Sequence, residues 1–263
     1  MKMAIPQNPI LRVYSWYYKT IAAPFSWIRG VTRIRFILAD LALRSILKPC
    51  NGGYEYDYYG IPIKLCRKEH FQELILEVDL IEGYCGQRGI REDDVVVDSG
   101  TYPGEFTVYA ARKASRVIAL EPNEENANTL IENLRLNDLK NVEVIRKALW
   151  SFEGDIAFAK KGLNFSVDPN GSSIVPVTTL DAIARDHDLD RLDFVKMDVE
   201  GAEIQALKGS QKVLQLYRPF FAIASYHEIN GSKTYPIVER FLREYGYNVK
   251  TGYAQHLTTY GWK

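Results

Sequence analysis

The sequence has no apolar run long enough for a membrane-spanning helix, which needs about 20 predominantly apolar residues. Within residues 1–50 no uncharged stretch is longer than nine residues, and the stretch from Thr20 to Ile28 contains Pro24. Arg12 and Lys19 also interrupt the apolar segment that a signal peptide would require. We therefore expect a protein that resides in the cytoplasm.

Cysteine is scarce, and two common phosphate-binding motifs are missing. The three cysteines, Cys50, Cys66 and Cys85, show no Cys-x-x-Cys spacing, so they indicate neither a disulfide framework nor a cysteine zinc site. A Gly-x-Gly-x-x-Gly loop and a Gly-Lys-Ser/Thr motif are both absent. These absences argue against a dinucleotide-binding or ATP-binding protein.

Charge is unevenly distributed, although the formal net charge of the chain is zero. Residues 1–50 contain eight Lys or Arg and one acidic residue, Asp40, so the formal net charge of this segment is eight minus one, that is, +7. Cations interleaved with aromatic residues are typical of a segment that contacts an anionic membrane surface or a polyanion. A helical cap packed on the main domain explains the same pattern. We expect a basic, aromatic, mainly helical extension over residues 1–70 and a main domain over residues 71–263.

From residue 95 onward, short β-branched runs alternate with helical patterns, which predicts βαβ units and a parallel sheet. The fold class is therefore α/β, with a doubly wound, mostly parallel sheet of about seven strands whose last pair is antiparallel. A Gly-rich region over residues 154–173 predicts a hairpin or flap, and Thr178-x-x-Asp181 has the spacing of a capping box. The predicted strands cover residues 95–97, 117–120, 142–145, 192–197, 220–224, 249–253 and 257–262.

Candidate ligand-binding residues follow the predicted strands, because open α/β sheets bind ligands beyond the carboxyl ends of their strands. Gly100 and Gly104 allow a tight turn and a close approach of the backbone to a ligand. A larger residue at Gly100 is expected to block the ligand before it unfolds the protein. The segments that this rule selects are Asp98–Gly104, Glu121–Asn123, Ala148–Trp150, Asp198–Glu203 and Ser225–Glu228.

Two acidic residues in these segments indicate the type of ligand. Glu121 lies 23 positions after Asp98, close to the offset at which an acidic residue accepts the ribose hydroxyls of an adenosine-containing ligand. Asp98 would repel a phosphate but suits a ligand that carries an amino group and a sulfonium. S-adenosylmethionine therefore fits this loop better than NAD or ATP.

Several motifs together resemble the FkbM-type methyltransferases over about residues 75–228. They are Asp98-Ser-Gly-Thr-Tyr-Pro-Gly-Glu-Phe106, Leu120-Glu-Pro-Asn123 with Leu130-x-x-Asn133, Thr179-Leu-Asp181 and Lys196-Met-Asp-Val-Glu-Gly-Ala-Glu203. The resemblance implies a seven-stranded, Rossmann-like class I methyltransferase fold, S-adenosylmethionine as methyl donor and commonly a hydroxyl acceptor in a sugar or polyketide-like molecule. Thr101-Tyr-Pro103 departs from the Ala-Asn that the family usually has there, and Pro103 removes one backbone donor.

The candidate site residues form a cofactor set and an acceptor set. The expected cofactor contacts are Asp98, Gly100, Thr101, Gly104, Glu121, Pro122, Asn123, Ala148 and Leu149. On the acceptor side, His227 is expected to act as a general base, with Asp198 converging on the same place. Alternatively, Asp198, Glu200, Glu203 and His227 hold Mg²⁺ or Mn²⁺, since oxygen ligands with one imidazole suit these ions.

Three functions are compatible with these features. The first is O-methylation of a hydroxyl on a small molecule, a glycan or a lipid-linked acceptor, with peripheral membrane contact through residues 1–50 as an option. The second is an RNA or protein methyltransferase that docks through its basic amino-terminal segment. The third is a non-catalytic protein that binds an adenosine ligand.

Overall fold

The computed structural model describes residues 47–58, 61–67, 80–161, 164–167, 173–229, 231–252 and 257–263. The basic segment over residues 1–46 lies outside these described residues, and so do its expected helices and membrane contact. Of the helices described, none has the length and apolar character required to cross a bilayer.

The described residues form sixteen strands and seven helices. The strands are β1 Lys48–Cys50, β2 Gly53–Tyr58, β3 Ile61–Leu65, β4 Val95–Ser99, β5 Arg116–Leu120, β6 Val142–Ile145, β7 Ala148–Leu149, β8 Gly154–Lys161, β9 Asn164–Val167, β10 Ser173–Thr178, β11 Phe194–Met197, β12 Phe220–Ala224, β13 Glu228–Ile229, β14 Ser232–Lys233, β15 Asn248–Gly252 and β16 Thr258–Trp262. The helices are α1 Leu80–Cys85, α2 Glu105–Ala111, α3 Glu124–Leu136, α4 Leu180–Asp186, α5 Glu203–Lys208, α6 Gln211–Leu216 and α7 Tyr235–Glu244.

Seven of these strands form the central sheet, in the order β6-β5-β4-β11-β12-β16-β15. The first five are parallel to one another, whereas β16 runs antiparallel to both β12 and β15. The predicted doubly wound sheet and its antiparallel last pair are confirmed. The strand order reverses between β4 and β11, so the carboxyl ends of these two strands flank the crevice in which such sheets bind ligands.

Both faces of the central sheet are buried, which explains why its strands are continuous apolar runs rather than alternating ones. In β4, Val96 packs into one core cluster and Val97 into the other. In β11, Phe194 packs into the first of these clusters and Val195 into the second. Side chains of α1, α2 and α3 cover the first face, and those of α4 to α7 cover the second.

Residues 48–65 differ from the expected helical extension, because they form an antiparallel sheet in the order β1-β2-β3. The turn between β1 and β2 is Asn51-Gly52, a two-residue sequence that favours a tight hairpin, and Gly52 has a φ of 86°. Ile63 and Leu65 of β3 are fully buried in the same cluster as Phe106. This three-stranded sheet therefore packs on the main domain.

The smaller sheet, in the order β7-β10-β8-β9, contains the hairpin predicted over residues 154–173. The predicted capping box is displaced by one residue, since Thr179 and not Thr178 caps α4, with Oγ1 accepting from the Ala182 amide at 2.9 Å. Thr178 belongs to β10, so its backbone is already paired. Asp181 instead accepts hydrogen bonds from the amides of residues 212 and 213 in α6, a helix that was not predicted from the sequence.

Candidate active site

The loop after β4 brings the chain against the end of β11. Gly100 has a φ of 79°, and a Cβ atom there would lie 1.7 Å from the backbone oxygen of Asp198. The expectation that a larger residue at Gly100 would first block the ligand is therefore wrong, since it would first break this backbone contact. Gly104, with a φ of 112°, lies immediately before α2, and a Cβ atom there would lie 2.7 Å from Leu130 Cδ1.

Asp98 is fully buried beneath this loop and faces protein groups. Its Oδ1 lies 3.1 Å from Lys196 Nζ, and its Oδ2 accepts a 2.5 Å hydrogen bond from Thr107. Lys196 also donates to the Gly100 carbonyl, with its ammonium 5.2 Å from the centre of the Tyr84 ring. Because the Asp98 carboxylate already has these two partners, its direct contact with a cofactor stays a prediction.

Acidic neighbours keep Lys196 protonated in this buried position. Burial lowers the pKa of the ammonium, but the carboxylates of Asp98, Asp198 and Glu105 raise it more, so the net shift is upward. A charged Lys196 offsets part of the negative charge of the crevice and ties the end of β11 to the loop after β4.

Glu121 lies at the end of β5 and is only 5% exposed. Its Oε1 accepts from the Asn123 amide at 3.0 Å and from Asn126 Nδ2 at 3.4 Å. Burial raises the pKa of this carboxyl, and the hydrogen bonds from Asn123, Asn126 and Thr101 only partly oppose the shift. Glu121 is thus held in one orientation at the edge of the crevice.

The other predicted cofactor residues differ in their burial and in their hydrogen bonding. Thr101 is 3% exposed, and its Oγ1 has no hydrogen-bond partner within the part of the chain that the structure describes. Asn123 uses its side chain to cap α3, while Pro122 beside it is half-buried. The Leu149 side chain is fully buried in the core, and Ala148 pairs with β10 through its backbone. The cofactor contacts of these residues stay predictions.

On the other side of the crevice, three carboxylates surround His227. Glu203 Oε1 lies 2.7 Å from Nδ1, whereas Asp198 Oδ1 and Glu200 Oε2 lie 3.5 Å and 3.6 Å from Nε2. Burial lowers the pKa of the imidazole, but Glu203, Asp198 and Glu200 raise it more, and the net shift is upward. The structure thus brings the two predicted catalytic residues together and places Glu203 behind His227.

Neighbouring groups orient two of the three carboxylates, those of Glu203 and Asp198. Glu200 and Gly201 both have positive φ, 52° and 95°, and this turn lets the Gly201 amide donate to Glu203 Oε1 at 3.0 Å. The hydroxyl of Tyr84 donates to Asp198 Oδ2 at 2.8 Å. Of the four metal ligands considered from sequence, Asp198, Glu200 and His227 have ligand atoms within 4.8 Å of one another.

Some residues that shape the site were missed because their partners are distant in sequence. Tyr84 lies 114 positions before Asp198, and α1 carries no motif that marks it. Thr107 of α2 donates to Asp98 of β4, nine positions earlier, through the fold of the loop between them. Asn133, which appeared only as part of a motif, accepts from the Cys66 amide at 2.8 Å and donates to the Pro103 carbonyl at 2.7 Å. It therefore ties the loop before α2 to the end of β3.

The strand order and this crevice define the class I methyltransferase fold. The crystal structure of a methyltransferase FkbM from Methylobacillus flagellatus shares the fold with a TM-score of 0.54, at 19% identity over 89% of this chain and 60% of that one. Residues 98–249, more than half of the chain, match the methyltransferase FkbM domain. The chain therefore belongs to the FkbM methyltransferase family.

Two relatives extend this comparison. The hexuronic acid methyltransferase AglP of Haloferax volcanii is 32% identical over 143 residues, which cover 52% of this chain and 57% of AglP. The methyltransferase sdnD of Sordaria araneosa is 26% identical over 200 residues, which cover 61% of this chain and 76% of sdnD. This chain thus spans less than two thirds of AglP and of the Methylobacillus structure.

Proposed function

We propose that the protein transfers a methyl group from S-adenosylmethionine to a hydroxyl of a small-molecule, sugar or lipid-linked acceptor. Membership of the FkbM family supports the reaction class. The name of AglP, a hexuronic acid methyltransferase, supports a sugar as acceptor. The observation that carries the proposal is the His227 imidazole, held by a buried carboxylate at the edge of the crevice.

The crevice residues fit the proposed cofactor. Glu121, which is buried and oriented by the Asn123 amide, is proposed to accept the ribose hydroxyls, since a carboxylate has about four acceptor sites, enough for these hydroxyls as well as its present donors. The buried Thr101 hydroxyl, which lacks a partner among the described residues, would gain one from the ligand. When bound, the cofactor supplies a methyl group on a positively charged sulfur, which becomes a neutral thioether on transfer.

His227 is proposed to take the proton of the acceptor hydroxyl. With Nδ1 2.7 Å from Glu203, the ring proton is proposed to lie on Nδ1, which leaves the lone pair of Nε2 for the acceptor hydroxyl. Asp198, oriented by Tyr84, would position the hydroxyl and stabilise the imidazolium that forms. A general base of this kind contributes about 10²- to 10⁴-fold to the rate.

The test is single-turnover methyl transfer from methyl-labelled S-adenosylmethionine to a panel of neutral sugars and uronic acids. We expect His227→Asn to lower the rate about 100-fold or more while cofactor binding, measured by calorimetry, is retained. His187→Asn is the matched control, since His187 also contacts a glutamate, with Nδ1 3.2 Å from Glu143, but lies outside the crevice.

Other outcomes separate the alternatives. An unchanged rate in His227→Asn would show that His227 is not the base. Cofactor binding with no turnover on any sugar would contradict the proposed activity and support a non-catalytic binding protein. Turnover on RNA or protein substrates alone would move the acceptor to the macromolecular class.

A further inference from the structure

Nε2 of His227 and the carboxylates of Asp198 and Glu200 form a cluster of three possible ligands, and both distances from Nε2 match those of a tetrahedral metal site. Nε2 lies 3.5 Å from Asp198 Oδ1 and 3.6 Å from Glu200 Oε2, and the three ligand atoms lie within 4.8 Å of one another. Zinc bonds of about 2.0–2.2 Å at tetrahedral angles place ligand atoms about 3.3–3.6 Å apart. Octahedral Mg²⁺ requires about 2.9 Å between adjacent ligands, so the spacing favours zinc.

His227 provides an observation independent of the carboxylates. Its side chain is only 9% exposed, and within the described part of the chain Nε2 has no hydrogen-bond partner. Nδ1 faces the fully buried Glu203 at 2.7 Å. A carboxylate behind the ligating histidine is the arrangement that orients imidazole ligands toward zinc and raises their basicity.

The charge and exposure of the carboxylates also suit a dication. Asp198 and Glu200 together carry two negative charges, which balance one Zn²⁺. The side chain of Glu200 is 43% exposed and that of Asp198 is 20% exposed, so an ion can enter from solvent on the Glu200 side. A mixed set of one imidazole and two carboxylates suits Zn²⁺ better than Mg²⁺, which prefers oxygen ligands.

We infer that Asp198, Glu200 and His227 bind Zn²⁺ and that the bound ion inhibits methyl transfer. Binding is argued from the two Nε2–carboxylate distances, the burial of His227 and the charge of the two carboxylates, and it does not depend on the proposed function. Inhibition rests on the proposed function, because a metal on Nε2 occupies the lone pair that would otherwise accept the hydroxyl proton. The ion would therefore act as a reversible inhibitor at the acceptor side.

Binding is measured first, by calorimetric titration of the full chain with Zn²⁺ and, separately, with Mg²⁺. We expect one Zn²⁺ site whose affinity falls at least tenfold in Glu200→Gln and in Asp198→Asn, with no comparable Mg²⁺ binding. Glu228→Gln is the matched control, because Glu228 is exposed and adjacent to His227 but is not one of the three ligands. No zinc binding, or binding that these ligand variants leave unchanged, would overturn the site.

Inhibition is measured second, in the labelled-methyl assay with and without Zn²⁺. We expect at least a tenfold loss of rate in the wild-type protein that a chelator reverses, and a weaker response to the same Zn²⁺ concentration in Glu200→Gln. If Zn²⁺ binds at the three ligands but stimulates transfer, the inhibitory role and the role of His227 as base are both wrong. If Zn²⁺ does not bind and transfer still depends on His227, the metal site fails and the proposed function stands.

Discussion

At the residue scale, the ribose-binding role proposed for Glu121 conflicts with stability. Its carboxyl is buried, and burial raises the pKa above the ordinary carboxyl value. A carboxyl whose pKa is raised by folding is ionised more easily in the unfolded chain. It therefore costs stability at neutral pH, a cost that disappears when the pH falls below about 4.3, the ordinary value for glutamate.

We predict two effects of Glu121→Gln. The substitution weakens S-adenosylmethionine binding, and it stabilises the free protein relative to the wild type by an amount that increases as the pH rises. Losing the charged acceptor for the ribose hydroxyls should reduce affinity about 10- to 100-fold, measured by calorimetry. The difference in Tm between variant and wild type should shift in favour of the variant from pH 4 to pH 8. In Glu124→Gln, where the carboxylate is exposed one turn away, both quantities should stay unchanged.

Two results would contradict this prediction. Unchanged affinity in Glu121→Gln would remove Glu121 from the cofactor site. A Tm difference that is independent of pH would show that the carboxyl titrates alike in the folded and unfolded states.

The rule that ligands bind beyond the carboxyl ends of parallel strands selected Glu121, Asp198 and His227 from the sequence. It works because these positions depend only on where strands end, which apolar runs reveal. Tyr84 was not identified, and Lys196 was noted only as part of a motif, because their roles depend on tertiary contacts such as the hydrogen bond from Tyr84 to Asp198. Such contacts are set by tertiary packing, and local spacing carries no trace of them.

At the element scale, the parallel strands were predictable from the sequence, whereas the short helix α6 was not. The buried strands β4, β5, β11 and β12 are apolar on both faces, so their signal is strong. The six-residue helix α6 is too short for a clear helical period, and Ser210 before it makes no side-chain cap. Its amino-terminal amides are instead satisfied by Asp181, 31 positions earlier in the chain.

We predict that Asp181→Ala lowers the free energy of unfolding by about 1–2 kcal/mol, the usual cost of losing a helix cap. Asp181 accepts from the amides of Lys212 and Val213 at 3.0 Å and 2.9 Å, so the substitution leaves two donors of α6 without this acceptor. Urea denaturation measures the change. Asp190→Ala serves as control, because Asp190 is exposed just beyond α4, and it should cost less than about 0.5 kcal/mol. An equal effect of the two substitutions would refute the bridging role of Asp181.

At the scale of the whole molecule, the central sheet separates two buried clusters, and the crevice opens where the strand order reverses. The three-stranded sheet β1-β2-β3 joins the first cluster, so the boundary expected at residue 70 does not separate two independent packing units among the described residues. Asn133 and Asn137 reinforce the attachment through hydrogen bonds to the backbone of Cys66 and Lys64. The loop before α2 is therefore coupled to this sheet through Asn133.

The last prediction tests whether this attachment is part of one cooperative fold. Leu65 is fully buried in the cluster that also contains Phe106 and Phe194, so Leu65→Ala should lower the free energy of unfolding by about 2–5 kcal/mol. Fluorescence and circular dichroism should report one coincident transition, as expected of a single cooperative unit. Leu216→Ala, at a position 74% exposed, should change stability by less than about 0.5 kcal/mol. If Leu65→Ala instead produces a separate early transition and leaves the main one in place, the three-stranded sheet unfolds independently and residues 48–65 form an appendage.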